Sequence, residues 1–128
     1  MKKSMGIGAV IGLGAGIALA LVGVSNPGAS RSLQSIVDFF GSVPTYFVMT
    51  YNLSPPTGII VFFTYWAVIG AIVGLLAGFP AKIRYILMAV FLICFVTGHG
   101  LIQAAMEREM QAIMDSLGQI LKQVFAGR

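Results

Sequence analysis

From residue 57 to residue 102 the chain is apolar almost without interruption, and its only charges there are Lys82 and Arg84. A helix needs about 20 apolar residues to cross a bilayer. The run therefore holds two spans, predicted at about 57–79 and 83–102 and joined by a turn at Phe79, Pro80, Ala81 and Lys82. An earlier apolar run predicts a further span at about 5–24. Two lysines before it and small residues after it also suit a secretory leader. Leader cores run to roughly 7–15 residues, however, and this run is as long as a full span. A retained transmembrane helix is the reading adopted.

The chain between these runs is mixed. Asn26, Pro27 and Gly28 form a turn signal, and Ser30 or Ser32 can cap a following helix. Leu33, Ile36, Val37 and Phe40 then fall at i, i+3, i+4 and i+7, with Gln34, Ser35 and Asp38 off that face. This predicts an interfacial amphipathic helix at about 32–42, ended or kinked at Pro44. Tyr46, Phe47 and Tyr51 follow and suit the headgroup level, where amphipathic rings concentrate. Ser54, Pro55 and Pro56 break the chain before the second span.

Beyond residue 102 the pattern changes again. Met106, Met110, Ile113, Leu117, Ile120 and Val124 alternate in steps of four and three, as in a heptad seam. Met114, Leu121 and Phe125 widen the seam into a stripe. A C-terminal amphipathic helix is predicted at about 103–125, with Gly98 and Gly100 marking a bend where the membrane helix passes into it. Its mixed charges and its methionines suit protein contact better than lipid contact. The six seam residues are the candidate partner-docking surface. The expected fold class is an all-α integral membrane protein with three transmembrane helices, forming one membrane domain over 1–128 with 103–128 as an appendage.

Within the spans the small residues are themselves patterned. Gly8, Gly12 and Gly16 recur at every fourth position, and Gly70, Gly74 and Gly78 do the same in the second span. Lipid supplies no hydrophobic force between helices, so association relies on close backbone approach at small residues. Two such rows predict packing of the first span on the second, or of copies of the chain on each other.

Composition agrees with membrane residence: 58% of the 128 residues are hydrophobic and 9% charged. A soluble domain carries roughly 25% charged residues. The formal charge of +4 comes from dispersed basic residues, which form no nucleic-acid stripe. Lys2, Lys3, Lys82 and Arg84 instead mark one side of the membrane. The positive-inside rule makes that side cytoplasmic and puts the C-terminal helix on the other. The single cysteine, Cys94, sits within a span and has no partner for an internal disulfide.

Catalytic chemistry finds little to work with. No span carries Asp, Glu, Lys or Arg between its ends, and such groups are what proton relays and ion-coupled pumps require. No metalloprotease, nucleophile-elbow or CxxC pattern occurs. The expectation is a non-enzyme without cofactor, metal site or small-molecule substrate. Its partners are membrane lipid and other integral membrane subunits, or itself. His99, the only histidine, is flanked by Gly98 and Gly100. It could serve as an axial haem ligand, though one histidine cannot supply both axial positions. The plainer reading is a hydrogen bond to a headgroup or a neighbouring helix. Tyr65 and Trp66 read as aromatic fillers or interface anchors.

Three functional readings follow. The first is a structural or assembly subunit of a membrane complex or homo-oligomer, in a bacterial inner membrane or a viral internal membrane. The second is a holin-like pore former, suggested by size and layout alone. The third is a cofactor-bearing membrane anchor of a respiratory complex, which rests on His99.

Overall fold

The computed structural model describes residues 2–25 and 31–126, and no strand occurs among them. Four helices follow one another: α1 (Lys2–Ser25), α2 (Arg31–Thr50), α3 (Pro55–Ala77) and α4 (Ala81–Ala126). The turn expected at Asn26, Pro27 and Gly28, and the Ser30 cap, lie outside the described residues. Three helices, α1, α3 and α4, are long and apolar enough to cross a membrane.

Large apolar side chains stand exposed along all four helices, among them Val10, Met49, Ile60 and Ile93. Trp66 is the one buried large hydrophobic among the described residues, 7% exposed. A chain that folds in water hides such side chains, because apolar burial is its main driving force. This distribution fits a lipid surrounding.

Two sequence expectations are corrected. The helix does not end at Pro44, since α2 runs through that residue to Thr50. Proline removes the bond its N–H would give to the carbonyl four residues back. Within a bundle the freed groups can be satisfied by side-chain hydroxyls and neighbouring helices. The carbonyl Pro44 frees is that of Phe40; one residue earlier, the Phe39 carbonyl accepts from the buried Ser42 hydroxyl at 2.7 Å. The Tyr46-to-Tyr51 stretch, expected at the headgroup level, is therefore mostly the second half of α2.

The second correction concerns the division between the third span and the C-terminal helix. Spans 83–102 and 103–125 are one helix of 46 residues. At 1.5 Å per residue it is about 69 Å long, against about 35 Å for α3. Glycine lowers helix propensity by only about 1 kcal/mol per residue. A helix already held by packing through His99 tolerates that.

The connections explain the ends. After α2, Asn52 takes a positive φ of 47°. Its N–H and that of Leu53 donate to the carbonyls of Met49 and Val48, at 3.2 and 3.0 Å. These two bonds form a Schellman closure, with asparagine at the left-handed position usually given to glycine. Pro55 and Pro56 open α3, where the missing N–H groups would have no helical partner in any case. At its far end, Gly78 caps the helix: its N–H donates to the Leu75 carbonyl at 3.0 Å, and that of Phe79 donates to the Leu76 carbonyl at 3.2 Å.

Candidate functional site

The most extensive contact in the molecule is between α1 and α3, which run antiparallel. Its centre has no side chains. The Gly8 and Gly70 carbonyls each lie where the other residue's Cβ would be, and Gly12 stands in the same relation to the Trp66 carbonyl. A Cβ on Gly70 would also come within 2.7 Å of the Gly12 Cα, and one on Gly8 within 2.7 Å of the Gly74 Cα. Carbonyls aimed at Cα hydrogens across a helix pair add weak attraction to the van der Waals contact.

The glycine rows are not used uniformly. Gly8, Gly12, Gly70 and Gly74 meet backbone to backbone, and the Ser4 carbonyl closes the end of the row on Gly74. Gly16 faces the Trp66 side chain instead, where an added Cβ would lie 3.0 Å from the Trp66 Cβ and Cγ. Gly78, the third member of the second row, is the exposed C-cap of α3. The off-row glycines Gly6 and Gly14 have nothing within 4 Å of an added Cβ.

Around Trp66 the four helices converge. Phe40 of α2 approaches its indole at 6.1 Å between ring centroids, and Phe95 of α4 does so at 6.4 Å. Phe91, Phe95 and His99 recur every four residues on one face of α4, with centroids 5.9 and 4.1 Å apart. Phe39 of α2 lies 5.5 Å from the His99 ring. The indole Nε1 has no hydrogen-bond partner among the described residues.

His99 is 1% exposed, and both ring nitrogens are engaged. Its Nδ1 lies 2.9 Å from the Phe95 carbonyl, and its Nε2 lies 3.1 Å from the Tyr65 hydroxyl. A carbonyl can only accept, so Nδ1 carries the proton. In the neutral ring Nε2 then accepts from the Tyr65 hydroxyl. A metal at Nε2 would have to displace Tyr65, and one at Nδ1 would have to break the α4 bond. The bonding partner is thus a neighbouring helix, the plainer of the two alternatives the sequence offered. An added Cβ at Gly98 or Gly100 would meet nothing within 4 Å.

Tyr65, Trp66 and Ser42 were not singled out from the sequence as the centre of the packing. The signal available was the four-residue spacing of Phe91, Phe95 and His99, which places one polar ring on an aromatic stripe. Of the predicted docking row, Met106 is half-buried and lines a cavity with α1, α2 and α3. Met110, Ile113, Leu117, Ile120 and Val124 are exposed. No family model, curated protein or solved structure matches this chain.

Proposed function

We propose that this chain is a small non-catalytic structural or assembly subunit of a larger membrane complex or homo-oligomer. Its setting is a bacterial inner membrane or a viral internal membrane. The observation that carries the reading is the uncovered apolar row on the distal half of α4, where Leu117 is 48% and Ile120 55% exposed. In α1 and α3 the glycine rows act as a glycine zipper within one chain. Their small faces are thereby occupied, and outward contact falls to α4. Lys2, Lys3, Lys82 and Arg84 gather at the end where α1 and α4 begin. With that end cytoplasmic, distal α4 is an amphipathic arm on the opposite side, where it docks a partner subunit or a second copy.

The test is purification in mild detergent, comparing the native chain with the double variant Leu117→Glu, Ile120→Glu. The native chain is expected to carry associated subunits or to migrate as an oligomer. The variant should lose them while keeping its helix content. Retention of the same associated mass by the variant would overturn the proposal.

A further inference from the structure

A cavity of about 730 Å³ lies among α1, α2 and α3 at the end where α1 stops and α3 begins. Small residues on three helices leave the space open: Ala20 and Gly23 of α1, Gly41 of α2 and Gly58 of α3. An added Cβ at Gly41 would meet nothing nearer than the Thr45 Oγ1, at 4.0 Å. The walls are apolar, with Leu19, Ile59, Phe62, Phe63 and Met106 among them. On α3 the lining runs from Pro55 to Phe63, about 12 Å of helix rise. That is close to the depth of one hydrocarbon leaflet, about 15 Å.

Polar groups on this lining come from one face of α2, where Asp38, Ser42 and Thr45 follow at i, i+4 and i+7. Ser42 is committed to the Phe39 carbonyl. Asp38 is exposed, and its Oδ1 accepts a hydrogen bond from Gln34 Nε2 at 3.2 Å. No basic side chain among the described residues pairs with it. The other three acids of the chain, Glu107, Glu109 and Asp115, all lie on distal α4. Asp38 is therefore the one charged residue on the described lining, which is otherwise apolar but for Ser42 and Thr45. Asp38 adjoins Val37, which touches Gly23 in the last turn of α1. Asp38 is thus placed by the end of α1.

We propose that this cavity binds one phospholipid whose headgroup bears a primary ammonium, with an acyl chain against Phe62 and Phe63 and the ammonium on Asp38. The volume falls within the range of small-molecule sites, roughly 300–1,000 Å³. A charge-assisted hydrogen bond from the ammonium to the carboxylate selects the headgroup. An anionic headgroup on the same acyl chains meets repulsion at the same place.

The experiment is native mass spectrometry of the full chain, released from detergent after equilibration with phosphatidylethanolamine and phosphatidylglycerol of identical acyl chains. The native chain should retain the ethanolamine lipid at least threefold over the glycerol lipid. Asp38→Asn should bring that ratio to about one with total retention preserved. Gly41→Leu, which fills the cavity, should cut retention of both lipids. A ratio near one in the native chain overturns the proposal, as does a preference that survives Asp38→Asn or full retention in a folded Gly41→Leu. The Asp38→Asn arm decides alone if Gly41→Leu does not fold.

Discussion

Glycine has opposite uses in the α1–α3 crossing and in the middle of α4. At the crossing, Gly8 and Gly12 lie on Gly70 and Gly74 with backbone against backbone, and the missing side chains are the contact. In α4, Gly98 and Gly100 sit on either side of the buried His99, and the contact is made by the ring between them. The spacing explains the difference. Residues four apart share a helix face, whereas immediate neighbours are turned about 100° away on each side. A glycine's neighbours in the sequence thus say less about its role than the residue one turn away. Gly6 and Gly14, on α1 but off the row, behave like the α4 pair.

The largest effect should come from Gly12→Leu. Its Cβ would enter the Trp66 carbonyl and stand 2.8 Å from the Gly70 Cα. Both obstacles are backbone, so no rotamer change relieves them, and α1 must move off α3. A loss of about 3 kcal/mol or more is expected, measured by denaturant unfolding in detergent. Gly14→Leu, two residues on and on the opposite face of the same helix, should leave stability within about 0.5 kcal/mol. Equal losses from the two substitutions would break the distinction between glycines that touch and glycines that do not.

The α4 side of the comparison is sharpened by removing the ring. His99→Ala deletes a side chain packed on Phe39, Phe95 and Tyr65. It should cost about 2 kcal/mol or more. Tyr65→Phe keeps the packing and withdraws only the donor to Nε2. Hydrogen bonds between helices in membranes average about 0.6 kcal/mol, and an unpaired buried acceptor adds to this. A loss of about 1 kcal/mol is expected in the same assay. If Tyr65→Phe matched His99→Ala, the hydrogen bond rather than the aromatic packing would hold α4 to α3.

Much of this architecture was legible in the sequence, for identifiable reasons. The three apolar helices follow from hydropathy and length, which need no knowledge of neighbours. The glycine rows were visible as rows, but which surface they would meet depends on the partner helix. Their antiparallel pairing became readable only with both helices placed. The helix ends expected at Pro44 and after residue 102 do not occur, because local breakers alone do not decide where a packed helix stops. Both helices run on, and Phe39 and Phe40 of α2 pack against Phe95 and His99 of α4 between them. Trp66 was read as a filler because nothing in the residues around it shows that Gly16, Phe40 and Phe95 arrive from three other helices.

The smallest effect is also the one that tests the continuity of α4. Gly98→Ala and Gly100→Ala each add a methyl group where nothing lies within 4 Å. Alanine loses less backbone freedom than glycine on entering a helix, by up to about 1 kcal/mol per residue. In a continuous helix the double variant should therefore be neutral or slightly more stable, with helix content unchanged by circular dichroism. A bend at this point would reverse the sign, because alanine would resist the backbone angles glycine permits. Loss of stability in the double variant would restore the bend and split α4 into a span and a separate arm. A gain would mean that the distal row is held at a fixed angle to His99, so that packing inside the bundle sets the direction in which Leu117 and Ile120 are presented.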